Sequence, residues 1–242
     1  MAVRLVGLGG SLRASSRSRA ALAVALDGAA AAGATIELLD LRQLALPMFN
    51  PEHEADAPLA VRAMIETCYA ADGMLWSSPM YNGSVSGSFK NAIDWLHLLG
   101  SRDPAYLHDK VVGLISAAGG IQGLQVINTM DFSVRSLRAW AVPYAVPVSG
   151  ATATFGDSGA VADDLIESQL RALGAEVVRV AERFARDPRC TVRPNASARP
   201  SASPAPADDR AASQSPRAWT QRSPGRGGCG PAHTRVPVRV PR

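Results

Sequence analysis

Short apolar segments alternate with stretches of helical periodicity from Met1 to about Asp187, and this alternation constrains the fold more than any other feature of the sequence. It is typical of β-α-β units, in which helices cover both faces of a parallel sheet. The predicted strands cover residues 3–8, 35–39, 73–78, 111–116 and 144–148. The predicted helices cover about 16–32, 58–71, 87–99, 120–140 and 161–186. We therefore predict an α/β fold, a three-layer doubly wound five-stranded parallel sheet with strand order 2-1-3-4-5.

Local signals predict how some of these elements begin, end and pair. Ser16 or Ser18 can cap the first helix, and Gly33 can end it. Pro147 lies inside the fifth predicted strand. Because proline has no N–H to donate to a neighbouring strand, the fifth strand should lie at an edge of the sheet.

The sequence changes character at about Pro188. Residues 189–242 hold ten of the 25 Lys and Arg but only two of the 21 Asp and Glu. With almost no large aliphatic residues, this segment cannot bury enough apolar surface to offset its chain entropy. We therefore predict a domain over 1–187 and a disordered basic tail over 188–242, which is either a flexible appendage or translated sequence without selected structure. The net charge of +4 averages this tail with a mildly acidic body, so it does not indicate nucleic-acid binding.

Several functional classes are excluded by the distribution of apolar residues, cysteine and histidine. Charged residues interrupt every long apolar stretch, so we expect no transmembrane helix. The N-terminal residues lack the charged region, apolar core and cleavage site of a secretory signal, so we expect a cytoplasmic protein. The three cysteines are far apart and the four histidines do not cluster. Neither a disulfide framework nor a metal site is therefore predicted.

Three loops rich in glycine and hydroxyl side chains follow the first, third and fourth predicted strands, at the edge where parallel α/β sheets bind ligands. The first, GGSLRASSRS at 9–18, combines glycines, hydroxyl donors, arginine and a helix N-terminus, which together predict a phosphate site. It is not a P-loop, because no Gly-Lys-Ser/Thr occurs, and Leu12 stands where a dinucleotide fingerprint has its third glycine. The alternative is a solvated turn capped by serine.

The second and third loops complete a predicted binding cleft. The second, SPMYNGSVSG at 78–87, can offer backbone amides to the polar edge of a flat heteroaromatic ring and side chains to its plane. Alternatively it is a long polar crossover with Tyr81 on the surface. The third, SAAGGIQG at 116–123, has glycines that let a ligand approach the backbone. Trp95, in the helix after the second loop, is expected in the core.

The first two loops and two further motifs resemble a known family. The motifs are GSLR at 10–13 followed by Ser16, LPMF at 46–49, SPMYNGS at 78–84 and KNAIDWL at 90–96. Over roughly residues 3–150 they closely resemble the NADPH-dependent FMN reductase family. The resemblance implies a flavodoxin-like fold, FMN as cofactor and NADPH or NADH as co-substrate.

The resemblance also implies which residues contact FMN. The phosphate would be held by Ser11, Arg13, Ser16 and Ser18. The ring and ribityl chain would contact Pro79, Met80, Tyr81, Asn82, Gly83 and Ser84, with Ser116, Gly119 and Gly120 from the third loop. The family often has asparagine where this chain has Ser18, although serine also donates a hydrogen bond. Arg17 and Arg19 would either strengthen phosphate binding or remain solvated.

The activity implied by the resemblance is an NAD(P)H-dependent FMN oxidoreductase with a ping-pong cycle. The nicotinamide passes hydride to flavin N5 and leaves, and an acceptor then occupies the same face. Free flavin, a quinone, an azo compound or an oxidised metal ion would serve as acceptor, and no side chain need act as catalytic acid or base. One alternative is a flavodoxin-type electron carrier, although the arginine in the first loop is unlike that class. Another is a flavin-free regulatory or scaffold protein.

Family resemblance implies self-association as well. Members of the family form dimers or tetramers, so we expect a homodimer or homotetramer. The apolar residues considered for the interface are Leu46, Met48, Phe49 and Trp140, although core burial is the commoner fate of such residues.

Overall fold

The sheet is parallel and has the predicted order, with one additional short strand. The structure, a computed structural model, describes residues 2–155 and 161–186. The strands are β1 (Arg4–Gly9), β2 (Thr35–Asp40), β3 (Gly73–Tyr81), β4 (Ser84–Val85), β5 (Val111–Ala117) and β6 (Trp140–Val148). The order β2-β1-β3-β5-β6 confirms the prediction, and β4 pairs antiparallel with the end of β3. The predicted tail, residues 188–242, lies outside the described residues.

Helices cover both faces of this sheet. They are α1 (Arg17–Ala31), α2 (Leu41–Leu44), α3 (Leu59–Ala70), α4 (Gly87–Trp95), α5 (Gly123–Ser136), α6 (Ala151–Thr154) and α7 (Asp164–Arg186), with 3-10 helices at Pro51–Asp56 and Leu96–Ser101. Apolar side chains of α3, α4 and α5 form one core with the sheet, and those of α1 and α7 form the other. Successive strand residues point to opposite faces, so Met74 and Trp76 join the first core while Leu75 joins the second. Among the described residues, no helix is long and apolar enough to cross a membrane.

The two ends of α1 agree with the sequence signals. Ser16 is the N-cap, and its side chain accepts a hydrogen bond from the N–H of Arg19 at 3.2 Å. At the other end, Gly33 has a φ of 94°. The N–H of Ala34 there donates to the carbonyl oxygen of Ala29 at 3.1 Å. This pair of features is the Schellman ending that glycine favours.

The end of α5 differs from the prediction. The predicted helix to about Trp140 is wrong, because α5 ends at Ser136 and Trp140 begins β6. Arg138 takes a left-handed φ of 62°. The N–H of Ala139 donates to the carbonyl oxygen of Val134 at 3.0 Å, so the ending is again a Schellman motif. An arginine in the position usually held by glycine gave the sequence no stop signal.

Strand β6 lies at the edge of the sheet, as Pro147 predicted. It pairs with β5 alone among the described strands, and it begins earlier than the predicted 144–148. The pairing shifts between Val112, opposite Ala141, and Leu114, opposite Ala145. The unpaired stretch contains Pro143, which has no N–H to contribute to the ladder.

Candidate active site

The three predicted loops converge at the carboxyl ends of three adjacent strands. Gly9 at the end of β1 lies opposite Ser77 of β3, and Ser78 of β3 lies opposite Ser116 of β5. Neighbouring strands are about 4.8 Å apart, so the loops that follow these residues share one edge of the sheet. The fold therefore forms a cleft from the segments predicted to form it.

The first loop is packed tightly against β3. A side chain at Gly9 would bring its Cβ within 2.1 Å of the carbonyl oxygen of Ser77, so only glycine allows this approach. The N–H of Gly10 donates to the same oxygen at 3.1 Å. The hydroxyl of Ser77 in turn donates to the carbonyl oxygen of Ser18 at 2.8 Å. The loop and the first turn of α1 are thus fixed to the central strand.

Three serine side chains gather where α1 begins. Ser11, Ser16 and Ser18 are all buried. The hydroxyl oxygens of Ser16 and Ser18 are 3.0 Å apart, and that of Ser11 accepts a hydrogen bond from the N–H of Arg13 at 3.3 Å. Helix N-termini carry free N–H groups and a positive dipole end, so this arrangement suits an anion.

Three arginines lie close to these serines in the sequence, and their side chains have different surroundings. Arg13 is exposed and Arg17 is half-buried. The Nε atom of Arg17 is shielded from solvent and has no hydrogen-bond partner among the described residues. Arg19 forms an ion pair with the buried carboxylate of Asp40, with Nε and Oδ2 3.6 Å apart. The first turn of α1 contains no acidic residue.

The second loop contains a β-hairpin where the sequence predicts only a loop. Met80 pairs with Val85, and Tyr81 pairs with Ser84. The two turn residues, Asn82 and Gly83, have φ values of 50° and 81°. Positive φ at both positions is the signature of a type I′ turn, for which Asn-Gly is the preferred sequence. That dipeptide was the signal available in the sequence.

Serine hydroxyls also hold the base of this hairpin. The Ser78 hydroxyl accepts a hydrogen bond from the N–H of Ser86 at 2.9 Å and donates to the carbonyl oxygen of Pro79 at 3.0 Å. Ser86 then caps α4 by accepting from the N–H of Phe89 at 3.2 Å. Pro79 and Met80 are half-buried, whereas Tyr81 is 46% exposed at the rim.

The third loop presents an unsatisfied hydroxyl and open backbone. The Ser116 Oγ atom is buried and has no hydrogen-bond partner among the described residues. Gly119 and Gly120 are exposed, and a Cβ added to either would meet no atom within 4 Å. A buried hydroxyl without a partner is costly, so this one is available to a polar group of a ligand.

The motif over residues 90–96 anchors the segment over 46–49. The Asn91 side chain accepts from the N–H of Phe49 at 2.8 Å and donates to the carbonyl oxygen of Pro47 at 2.9 Å. Trp95 is buried, as predicted, and its Nε1 donates to the same carbonyl at 2.9 Å. The rings of Phe49 and Trp95 meet edge to face at 5.2 Å. The sequence did not predict this role of Asn91.

Perturbed ionisable groups lie away from the cleft. Lys110, just before β5, donates from Nζ to the carbonyl oxygen of Ala71 at 2.6 Å. Burial lowers the pKa of Lys110 to about 8, although the Asp72 carboxylate opposes the shift. Burial also raises the pKa of the Cys68 thiol to about 12, against the opposing charge of Lys110. These groups lie at the amino end of β5, opposite the three loops, and take no part in the candidate site.

The three loops over 10–16, 78–86 and 118–122 contain no Asp, Glu, His or Cys. Among the described residues, no group of three or more such side chains could hold a metal ion. The arrangement therefore suits binding of an anionic, planar ligand and supplies no acid-base pair of its own.

Comparison with known proteins agrees with this geometry. Residues 3–153 match the family described as NADPH-dependent FMN reductase. An NAD(P)H-dependent FMN reductase from Pseudomonas aeruginosa is 33% identical over 190 residues, which cover 74% of this chain and 97% of that protein. An NADPH azoreductase from Bacillus is 32% identical over 139 residues, covering 57% and 75%. A probable NADPH:quinone oxidoreductase from Oryza sativa is 36% identical over 126 residues, and the chain spans only 59% of its length.

Solved structures share the fold. The NAD(P)H:(acceptor) oxidoreductase FerB from Paracoccus denitrificans aligns with a TM-score of 0.60 and 22% identity, covering 75% of this chain and 98% of that one. An archaeal flavodoxin aligns with a TM-score of 0.50 and 7% identity, covering 74% and 99%. The fold is therefore flavodoxin-like, with β4 as an addition to the five parallel strands.

Proposed function

The chain belongs to the NADPH-dependent FMN reductase family, and from this premise we propose that it passes reducing equivalents from NAD(P)H through bound FMN to a small acceptor. It is an oxidoreductase with FMN as cofactor and NAD(P)H as co-substrate. The acceptor is a free flavin, a quinone, an azo compound or an oxidised metal ion. The observation that carries the proposal is the convergence of the serine-lined loop, the hairpin and the open glycine loop at one edge of the sheet.

The residues present at this edge fit FMN. The buried Ser11, Ser16 and Ser18 side chains and the N-terminus of α1 suit a phosphate group. The unpartnered hydroxyl of Ser116 can meet a polar atom of the ligand. Beside it, Gly119 leaves open space in which a ligand can approach the backbone.

In the proposed mechanism the protein binds and orients, and it supplies no proton. FMN, when bound, supplies hydride acceptance from the nicotinamide and electron delivery to the acceptor. Arg13 and the serine hydroxyls fix the phosphate and so set the position of the ring. The type I′ turn holds the backbone of Asn82 and Gly83 in one conformation before any ligand arrives, which limits the reorganisation needed on binding. Tyr81, exposed at the rim, provides an apolar surface beside the ring.

An absorbance experiment tests the function directly. The purified protein is mixed with FMN, desalted, and then treated with NADPH without oxygen. We expect retained yellow colour that bleaches on NADPH addition. Retained colour without bleaching would favour an electron carrier, and a protein that stays colourless would remove the basis of the proposal.

Substitution of Arg13 tests the phosphate site within the same experiment. Because a hydrogen bond to a charged group contributes roughly 1.5–3 kcal/mol, Arg13→Ala should weaken FMN affinity about tenfold or more. Arg135→Ala, which removes an equal charge from an i,i+4 pair on α5, is the control. Equal FMN affinity in the wild type and the Arg13 variant would refute the role of Arg13.

We also propose that the protein is a homodimer or homotetramer. Support comes from the α5 patch, which we define as the exposed side chains of Ile121, Leu124 and Phe132, at 87%, 56% and 72% exposure. Beside it, a cavity of about 360 Å³ between α4 and α5 is lined in part by Phe132 and Leu137. Leu124 and Phe132 lie on α5, and Ile121 lies two residues before it. Large exposed apolar groups are typical of an interface, and the occupant we propose is a second copy of the chain.

The four apolar residues that the sequence offers for the interface differ in their exposure. Met48 is 79% exposed, while Leu46 and Phe49 pack partly against the core. Trp140 is 56% exposed, but it begins the edge strand β6 and packs near Phe184. Met48 is therefore the most exposed of the four. We further propose a cytoplasmic location, because the co-substrate NAD(P)H is supplied inside the cell, and cell fractionation tests it.

A further inference from the structure

The start of α1 carries an unusual concentration of positive charge. Arg13 precedes the helix, Arg17 is its first residue, and Arg19 follows within the first turn. No acidic residue lies in that turn. A helix N-terminus already has a positive dipole end, so cations there are unfavourable unless an anion lies nearby.

The charge of one of the two arginines on α1 is balanced by another residue of the protein. The Arg19 guanidinium pairs with the buried carboxylate of Asp40 at 3.6 Å. Asp40 is held in place in turn, because its Oδ1 accepts from the N–H of Arg42 at 3.0 Å. The charge of Arg19 is thus balanced without any ligand.

Arg17 has no such partner. Its Nε is shielded from solvent and makes no hydrogen bond to any described residue. No carboxylate among the described residues forms an ion pair with it. On either side along the chain, the hydroxyls of Ser16 and Ser18 contact each other at 3.0 Å. A buried donor without an acceptor costs free energy, as does an unbalanced charge, and an anion bound within reach of Arg17 would reduce both costs.

We propose that Arg17 is a second cationic ligand of the FMN phosphate, acting together with Arg13. The inference rests on the proposed function, because it assumes that FMN occupies the cleft. A phosphate monoester carries a charge of about −1.5 to −2 near pH 7, which one guanidinium alone does not balance. The family resemblance implies four phosphate ligands, of which only Arg13 is a cation, so Arg17 would add a second cation to that set.

Flavin binding to the cofactor-free protein provides the test. FMN and riboflavin differ only in the phosphate, so a phosphate ligand must act on FMN alone. Quenching of flavin fluorescence gives both dissociation constants for the wild type, Arg17→Gln and Arg42→Gln. Arg42 is exposed on α2, and its side chain makes no hydrogen bond or ion pair with another described residue. Its variant therefore controls for the loss of one charge near the cleft.

We expect Arg17→Gln to weaken FMN binding roughly tenfold and to change riboflavin binding less than about twofold. Arg42→Gln should change neither by more than about twofold. Inorganic phosphate should compete with FMN for the wild type, and its inhibition constant should rise by a similar factor in Arg17→Gln.

Two results would overturn the inference. In the first, Arg17→Gln binds FMN as tightly as Arg42→Gln does. In the second, Arg17→Gln weakens FMN and riboflavin equally, which would assign Arg17 a structural role. Failure of the wild type to bind FMN would instead refute the proposed function, so the two failures are distinguishable.

Discussion

Ser78 and Ser116 are partners in the sheet register, and both are fully buried, yet their hydroxyls have opposite settings. The Ser78 hydroxyl satisfies the N–H of Ser86, whereas the Ser116 hydroxyl has no partner in the described part of the chain. Removing the Ser78 hydroxyl leaves the buried N–H of Ser86 unpaired, whereas removing the Ser116 hydroxyl eliminates a buried polar group that has no partner. The same substitution should therefore have different effects at the two positions.

We predict that Ser78→Ala lowers the free energy of unfolding by about 1–3 kcal/mol in the absence of FMN. Ser116→Ala should leave it unchanged or raise it by up to about 1 kcal/mol, while weakening FMN binding. Urea unfolding and flavin fluorescence measure the two quantities. Equal destabilisation by both substitutions would show that the Ser116 hydroxyl already has a partner.

Lys110 and Cys68 make stability depend on pH in opposite directions. Burial lowers the pKa of Lys110 from 10.5 to about 8. Between these values the unfolded chain holds a proton that the folded chain has lost, so the free energy of unfolding rises with pH. Burial raises the pKa of Cys68 from 9.0 to about 12. There the folded chain holds the extra proton, so stability falls as pH rises above 9.0.

The pH range in which Lys110 affects stability and the range in which Cys68 does overlap only above pH 9. Just below pH 9, the effect of Lys110 can therefore be measured alone. Between about pH 8 and pH 9 the wild type should gain up to about 1.4 kcal/mol per pH unit from Lys110. Lys110→Met should lose this slope, whatever its stability at any single pH. Urea unfolding of both proteins across the interval measures the slopes, and parallel curves would contradict the prediction.

At the scale of elements, the sequence predicted a helix end where glycine occupies the position after the helix, and missed one where arginine does. Gly33 and Arg138 end helices in the same way, with a positive φ and the same reversed hydrogen bond. Glycine is a sequence signal for this ending because it adopts positive φ readily. Arginine rarely adopts positive φ, so it does not signal a helix end. The Asn82-Gly83 hairpin is the converse case, because this dipeptide is a turn signal in a segment for which we predict only a loop.

The attachment of the segment over 46–49 to α4 depends on Asn91. We predict that Asn91→Ala lowers the free energy of unfolding by about 2–3 kcal/mol, because it leaves the N–H of Phe49 without its acceptor inside the protein. Lys90→Ala at the adjacent position should cost less than about 0.5 kcal/mol, because it removes only an exposed i,i+4 pair with Asp94.

Hydrogen exchange adds a local readout to this comparison. The amide of Phe49 should exchange faster in Asn91→Ala than in Lys90→Ala, while amides of the central strand β3 should be less affected. Slow exchange of Phe49 in the Asn91 variant would mean that Trp95 alone holds the segment through Pro47.

At the scale of the whole molecule, strand order and the position of the cleft followed from the sequence. Both depend on local periodicity and on the handedness of β-α-β connections, which every strand shares. The contacts inside the cleft could not be predicted in this way. The Asn91 side chain meets Pro47 from 44 residues away in the chain, and the isolation of the Ser116 hydroxyl is a property of packing.

Self-association is predicted to depend on the α5 patch. Phe132→Asp should shift the protein to a lower oligomeric state, because it places a charge in an apolar interface. Leu165→Asp is the matched control, since Leu165 is similarly exposed, at 66% against 72% for Phe132, but lies on α7. Light scattering after size-exclusion chromatography measures the masses. An unchanged mass for Phe132→Asp, or the same loss in both variants, would refute this interface.

The two prolines of β6 have a consequence for how the protein behaves when crowded with its own copies. Edge strands are templates for intermolecular strand addition, the first step of many aggregation reactions. Pro143, Pro147 and the register shift leave β6 a poor template, because an incoming strand would find missing donors and a bent backbone. The opposite edge, β2, is regular and partly apolar, with Ile36 42% exposed. Any fibril-like growth of this domain should therefore start at β2.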